Sequence, residues 1–207
     1  MTKGNLIIGA GGHGKVIADI MQRQGMNILG FLDDNVAIIG QQILNLPVLD
    51  TIAMWRNFAP DGLVMGIGDN SMRYTLVRQI EQDIAAHWII PIHPTATIAA
   101  SVQIGDGTVI MAGVIINPDT ILGKHTIINT AATVDHDCVV GDFVHIAPGT
   151  HLAGDVHVGN GSLLGIGCSV IPGCKIGENV IVGAGAVVIG DIPSGVVAKG
   201  IPAHWET

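Results

Sequence analysis

His136 stands between two carboxylates, in the run Val134-Asp135-His136-Asp137-Cys138-Val139. An imidazole beside a carboxylate is suited to general-base work, because the carboxylate fixes the ring tautomer and stabilises the imidazolium that forms. A second concentration of reactive groups lies near the N-terminus. Gly9-Ala10-Gly11-Gly12-His13-Gly14 has the spacing Gly-x-Gly-x-x-Gly, and Asp33 and Asp34 follow it by about twenty positions. Glycines there let the backbone turn tightly and approach a phosphate, and the N-terminus of the following helix favours an anion. A carboxylate at the end of the next strand can accept ribose hydroxyls. His13 and Lys15 fall in the loop and first helical turn, within reach of a phosphate or a sugar. Asp69 and Asn70 follow a later strand and fit the rule that ligands bind at the carboxyl ends of parallel strands.

The elements that would hold the first group alternate. Asn5–Gly9 reads as a short buried strand and Lys15–Gln24 as a helix, with Val16, Ile17, Ile20 and Met21 on its apolar side and Gly25 as its stop. Asn27–Leu32 and Leu63–Ile67 read as strands, and Met72–Ile84 as a helix. A strand near Leu46–Leu49, a helix near Ile52–Phe58 and a last strand at Trp88–Ile90 complete the reading. This order implies a small parallel sheet with helices packed on it. It is one half of a two-part dinucleotide fold, which suits a mononucleotide, such as the nucleotide of a sugar nucleotide, and leaves no place for both nucleotides of a nicotinamide. The alternative is a purely structural glycine turn.

The elements that would hold His136 follow a different rule. From Ile92 to Val188 an aliphatic residue recurs at every sixth position, with no slip, through Ile98, Ile104, Ile110 and onward. Four residues after each comes a small or β-branched residue, such as Thr108, Thr126, Cys138, Ser162 and, last, Ile192. Six fits no α-helical period. It fits a chain wound around a triangular prism, one short strand per face, with three hexapeptides to a coil. The aliphatic residue and the small residue both point inward, and glycines such as Gly105, Gly123, Gly141, Gly159, Gly177 and Gly183 supply backbone freedom at the corners. Residues eighteen apart stack at roughly 4.8 Å per coil. Gly154 therefore lies directly over His136, with a backbone N–H open to polarise a carbonyl.

The same geometry separates His145, His151 and His157, which fall on three different faces. A metalloenzyme on this prism resembling γ-class carbonic anhydrase would need three histidines convergent across a subunit interface, two of them five apart, whereas the prism histidines from His125 onward are separated by eleven, nine, six and six. Cys138, Cys168 and Cys174 occupy the inward small position and lack metal spacing, so they read as core thiols of a reducing, cytoplasmic compartment. The N-terminus has no signal-peptide layout, and no apolar run is long enough to insert in a membrane. A formal charge of −8 excludes non-specific nucleic-acid binding. Hydrophobic content of 48% against 13% charged suggests surface covered by other subunits.

Gly9–Lys15, the Phe31-Leu32-Asp33-Asp34 strand end, the prism run Asp135-His136-Asp137-Cys138-Val139-Val140-Gly141 and the closing Gly200-Ile201-Pro202-Ala203 together resemble one family across essentially the whole chain. It is the sugar O-acyltransferase family of the sialic-acid NeuD type, with the PglD-like enzymes that acetylate a UDP-4-amino-4,6-dideoxy sugar. The resemblance implies an α/β half-Rossmann domain over residues 1–90, and an all-β left-handed parallel β-helix with a C-terminal tail over residues 91–207. It implies His136 as the catalytic base with Asp137 beside it, a position where the family often has the longer Glu. It places His145, Gly154, Ile166, Ala184, Lys199, Ile201 and Pro202 on acetyl-CoA. Gly11, Gly12, His13, Lys15, Asp33, Asp34, Gly68, Asn70 and Asn129 are placed on the sugar nucleotide. Members are homotrimers with CoA between neighbouring prisms, use no metal, and have Lys or Arg where this chain has His204.

The activity so implied is N-acetylation of a UDP-4-amino-4,6-dideoxy sugar by acetyl-CoA, for bacterial glycan synthesis. O-acetylation of a sialic-acid-like sugar and a non-catalytic role in holding a sugar nucleotide are the alternatives.

Overall fold

The computed structural model describes residues 3–82 and 86–206. The chain divides into two compact units, Met1–Pro94 and Thr95–Thr207. Among the described residues no helix is long and apolar enough to cross a membrane.

The first unit is built on strand β1 (Asn5–Ile8), whose Leu6, Ile7 and Ile8 are fully buried. It pairs in parallel with β2 (Ile28–Leu32) on one side and β5 (Gly62–Met65) on the other. Beyond β2 lies β4 (Leu46–Asp50), and an antiparallel edge strand, β3 (Gln42–Ile43), closes that side. The sheet order is therefore β3-β4-β2-β1-β5. The β3–β4 hairpin turns through Leu44 and Asn45, both at positive φ, as a tight two-residue turn requires. Residues Ile52–Phe58 form a 3-10 helix, and Trp88 makes a single parallel bridge to Leu63 where a full strand was expected.

Helix α1 spans Gly12–Arg23, three residues earlier than its expected start. It packs through Ile17, Ala18, Ile20 and Met21, while Val16, expected on the apolar side, is 41% exposed. Gly25 (φ +69°) ends it: its N–H donates to Gln22 O and that of Met26 to Met21 O, which satisfies the terminal carbonyls. Helix α2 spans Asn70–Ile80, beginning two residues before expectation; Ile84, its expected last residue, lies outside the described residues.

The second unit is a left-handed parallel β-helix. Two-residue strands recur every six residues from β6 (Thr97–Ile98) to β21 (Val187–Val188), and each pairs with the strand eighteen residues away. Three sheets result. Outward positions on the first face are Val109, Ile127, His145, Leu163, Ile181 and Val197, on the second Thr97, Ile115, Thr133, His151, Ser169 and Val187, and on the third Gln103, Ile121, Val139, His157 and Lys175. The second residue of the strands fills the interior, with Ile110, Val134, Ile146 and Leu164 completely buried.

The small inward position is more than a matter of size. Thr108, Thr120, Thr126, Thr150 and Ser162 are fully buried, and each hydroxyl donates to the carbonyl fifteen residues on, at 2.7–2.9 Å. A buried hydroxyl needs such a partner, and the corner carbonyls supply it. Cys138 fits the same pattern, with Sγ 3.2 Å from Ala153 O.

Two readings of the repeat are corrected. Gly105, Gly123, Gly141, Gly159, Gly177 and Gly183 are not at positive φ. What demands glycine at most of them is the coil above: a Cβ on Gly159 would lie 2.6 Å from Glu178 N and Gly177 C. The left-handed corner residue comes two places later, for example Gly107, Gly161 and Gly185, and also Ala131 and Asp137. Second, Ile192 does not take the small inward position. The last coil is shorter by two, so that Ile192 bridges Ile176, and β22 (Val197–Ala198) pairs with Ile181–Val182 at a spacing of sixteen.

The two kinds of glycine should differ in tolerance. Gly159→Ala drives a methyl into fixed backbone and should cost about 3 kcal/mol. Gly185→Ala, where nothing lies within 4 Å and Ala131 already shows the conformation to be accessible, should cost about 1 kcal/mol. Thermal midpoints compared with the wild type check the order, and a larger loss at Gly185 would contradict the steric account.

Candidate active site

The corner that follows the second face carries Asp135, His136 and Asp137. The backbone there is held from the coils on either side. Asp137 N–H donates to Pro118 O, and Asp155 N–H donates to His136 O. Thr120 Oγ1 donates to Asp135 O at 2.8 Å. The Asp135 carboxylate accepts from Asn117 Nδ2 at 2.7 Å and from His136 N–H at 2.9 Å. The Asn117 amide, and then the His136 N–H, hold Asp135 below the usual carboxylate range.

His136 Nδ1 lies 2.7 Å from Asp137 Oδ2. An ionised carboxylate only accepts, so the proton sits on Nδ1 and the Nε2 lone pair is the basic site. The bond to Asp137 raises the imidazole pKa, helped by the charges of Asp135, Asp137 and Asp155. The ring rests against Gly154: a Cβ there would lie 2.6 Å from Cε1 and 2.7 Å from Nε2. The coil bonds at this corner run from Asp155 N–H and Gly173 N–H, and the Gly154 N–H takes no part in them.

Asn129 and His145 meet at a different corner, between the first and second faces. Asn129 Oδ1 accepts from Thr130 N–H at 2.8 Å, so its amide nitrogen faces His145 Nε2 at 3.0 Å and donates to it. That places the His145 proton on Nδ1. Ile166, 62% exposed, and Ala184 stack in one column of this same corner, tied by the Gly185 N–H to Ile166 O bond. Lys199 sits over Gly183 and exchanges backbone hydrogen bonds with His204, which folds the tail back onto Val187. Ile201 is the most exposed aliphatic residue described, and Pro202 lines a cavity of about 440 Å³ with Val188, Ile189, Gly190 and 203–205. The expected residues thus form two clusters on one prism: His136, Asp137 and Gly154 at one corner, and Asn129, His145, Ile166, Ala184 and Lys199 at the next. His145, His151 and His157 lie on three separate faces, as their spacing requires.

Cys138, Cys168 and Cys174 are buried free thiols. Burial raises all three, Cys168 to about 11, so none is poised as a thiolate.

In the first unit the glycine-rich loop makes the tight turn and close helix–strand approach expected of its spacing. Gly9 takes φ +101°, and a Cβ on Gly14 would lie 2.1 Å from Gly9 O, so helix and strand touch through glycine. Added Cβ atoms at Gly11 and Gly12 would meet nothing within 4 Å, which leaves that side of the loop open to a ligand. His13 lies in the first turn of α1, and Gly68 approaches its Cβ. The two loops flank the β1–β5 boundary, where chain connections diverge to opposite sides of the sheet, the usual place for a ligand. Lys15 is exposed in the same turn.

The acidic residues have more structural work than expected. Asp33 accepts from Ala10 N–H at 2.8 Å with one oxygen and from Asn35 N–H at 2.9 Å with the other, bracing the glycine loop against β2. Asp34 is exposed and uses Oδ1 to accept from Ile52 N–H. Asp69 caps α2 by accepting from Met72 N–H at 2.7 Å. Arg73, which the sequence reading passed over, is 1% exposed beneath the 67–70 loop. Its position three residues after Asn70, one helical turn on, is the signal that would have found it.

A prism of hexapeptide coils with a carboxylate-backed imidazole at one corner defines a hexapeptide-repeat acyltransferase. Residues 6–80 match the PglD N-terminal domain model and residues 155–190 the bacterial transferase hexapeptide model. The structure of PerB from Caulobacter crescentus, solved with CoA and GDP-perosamine, superposes with a TM-score of 0.93 at 40% identity, covering 100% of this chain and 99% of that one. The acetyltransferase domain of PglB from Neisseria gonorrhoeae, solved with acetyl coenzyme A, gives a TM-score of 0.91 at 36% identity over 99% and 100% of the two chains. UDP-N-acetylbacillosamine N-acetyltransferase of Bacillus subtilis is 40% identical over 110 residues, which are 51% of this chain and 50% of that protein. This chain belongs to the PglD-like sugar N-acetyltransferase family.

The charge environment of His136 is open to direct test. Its imidazole should titrate above the ordinary histidine pKa in the free protein, and Asp137→Asn should move the titration down, because the first cause of the shift is lost. Histidine ring NMR against pH measures both. An unchanged titration in Asp137→Asn would show that the carboxylate does not control the ring.

Proposed function

We propose that the protein transfers the acetyl group of acetyl-CoA to the 4-amino group of a UDP-4-amino-4,6-dideoxy sugar, with His136 as general base, in bacterial glycan synthesis. The observation that carries the reading is the Nδ1–Asp137 bond, which leaves Nε2 as the basic nitrogen, packed against Gly154. The relatives solved with CoA, acetyl-CoA and GDP-perosamine support the two substrate classes. The N-terminal match and the open glycine loop support a sugar nucleotide held by the first unit.

In this mechanism the neutral sugar amine attacks the thioester carbonyl. Nε2 of His136 takes a proton from the nitrogen as the tetrahedral centre forms, while Asp137 stabilises the imidazolium. The Gly154 N–H donates to the oxyanion. Collapse of that centre breaks the C–S bond, and the imidazolium returns the proton to the CoA thiolate. No covalent acyl-enzyme is used, consistent with three buried, protonated thiols.

The two prism clusters also bear on assembly. His136 and Gly154 stand at one corner, whereas Asn129, His145, Ile166, Ala184 and Lys199 stand at the next. A CoA that touches both sets needs the two corners to come from two copies. A homotrimer, with CoA between neighbouring prisms, meets that requirement.

Thiol release from acetyl-CoA tests the reading, with UDP- and GDP-linked 4-amino-4,6-dideoxy sugars of both C4 configurations and sialic acid as acceptors. Saturable turnover on an amino-sugar nucleotide is expected, and turnover on sialic acid alone would move the reaction to oxygen. With the accepted sugar, His136→Ala should lower kcat by about 10²- to 10⁴-fold and leave the KM for the sugar nucleotide little changed. A near-wild-type kcat would remove His136 from the mechanism. Gly154→Ala, whose methyl would collide with the imidazole, should also lower kcat.

A further inference from the structure

Arg73 is the one charged side chain among the largest fully buried residues described. It projects from the first turn of α2 back beneath the loop that precedes its own helix. Nη1 donates to Ile67 O at 3.3 Å and to Gly68 O at 3.1 Å, and Nη2 donates to Asn70 Oδ1 at 2.9 Å. Burial lowers its pKa to about 10, with Asp69 opposing that shift, so it remains a cation at neutral pH. Burying a guanidinium is costly, and a change that removes it would strand the groups it satisfies.

The direction of these bonds matters for the other side of the loop. A trans peptide holds its C=O and N–H in one plane, pointing in opposite directions. With Ile67 O and Gly68 O drawn onto the guanidinium, the N–H groups of Gly68 and Asp69 point away from it. The backbone ladders use neither of them. Gly68 bears no side chain, and the nearest atom to an added Cβ would be His13 Cβ at 4.0 Å. Two successive N–H groups held outward beside a glycine-rich loop make a receptor for an anionic oxygen.

We infer that Arg73 is a positioning residue for the nucleotide-sugar crevice: it holds the 67–70 loop so that the Gly68 and Asp69 N–H groups donate to a diphosphate oxygen of the sugar nucleotide. This rests on the nucleotide-sugar reading of the first unit. Arg73 does not touch the ligand. It acts through the loop, and a lysine, with one point of charge in place of a planar fork, can satisfy only part of that geometry.

The test compares wild type, Arg73→Lys and Arg73→Met in the full-length chain. The readouts are UDP and GDP binding by calorimetry, KM for the sugar nucleotide and for acetyl-CoA, kcat, and the thermal midpoint. The expected result is a rise of about tenfold or more in sugar-nucleotide KM and nucleotide Kd for Arg73→Met. The acetyl-CoA KM and kcat should stay within about threefold, and Arg73→Lys should recover part of the affinity. Nucleotide affinity within about twofold of wild type in both variants would overturn the inference. So would sugar-nucleotide and acetyl-CoA KM values rising together with a fallen midpoint, which marks a purely structural role. If Arg73→Met does not fold, Arg73→Lys decides by the same two criteria. A wild-type protein that binds neither UDP nor GDP would instead sink the nucleotide-sugar reading, and the inference with it.

Discussion

Parallel pairing between residues eighteen apart governs the second unit, and nearly every feature of its candidate site is a consequence. Such a coil gives each side chain only two kinds of neighbour: those next to it along the corner, and those one coil above or below. His136 has both. Asp135 and Asp137 flank it in sequence, Asn117 reaches Asp135 from one coil below, and Gly154 lies one coil above the imidazole. The interior hydroxyls obey the same rule, since each is satisfied by the neighbouring coil's corner carbonyl. The ring is therefore placed by rigid backbone rather than by a mobile loop, as a site that must aim one nitrogen requires. The same rule forbids two corners of one prism from converging, so a ligand that needs both must find the second on another copy.

The first unit solves a different problem with a different device. Its glycine-bearing loops sit at the ends of parallel strands and carry small residues on the open side. What fixes them is polar bonding from behind: Asp33 to Ala10 N–H, Asp69 to Met72 N–H, and Arg73 to two carbonyls of the 67–70 loop. Each bond spends a charged group on backbone instead of ligand. That exchange suits a crevice that must present N–H groups to an anion, because a loop with free carbonyls would repel it.

The legible part of the molecule was the part with a period. An unbroken six-residue repeat specifies faces, register and interior at once, because a slip of one residue would expose every inward side chain. The local reason for each small residue was less visible. Threonine and cysteine at the same place look like equal volumes in a sequence, and the need for a donor to a corner carbonyl appears only when coils are stacked. The corner glycines carried a similar ambiguity, since close approach and positive φ both select glycine; the structure assigns the first to Gly159 and the second to Gly161. Ile192 misled because the shortened last coil preserves the aliphatic pattern while changing its register. In the first unit the Gly-x-Gly-x-x-Gly loop was recognisable, yet the partners of Asp33, Asp69 and Arg73 were not. Those bonds depend on how a loop curls, and no periodicity reports it.

The pairing of His136 with Asp137 shows how a conformation can replace side-chain length. Adjacent residues on an extended strand point to opposite faces, so an aspartate following a histidine would ordinarily face away from it. Asp137 instead occupies the left-handed corner position, at φ +59°, which every coil uses to turn from one face to the next. Aspartate tolerates that region better than most side chains. The turn swings its short carboxylate back toward the preceding ring, and the contact closes at 2.7 Å. The aspartate therefore reaches the imidazole where the family often has the longer glutamate. A shorter acid with fewer rotatable bonds also loses less entropy when it is held there. The corner that lets the chain turn is thus also what orients the imidazole, which ties the proposed chemistry to the coil geometry itself.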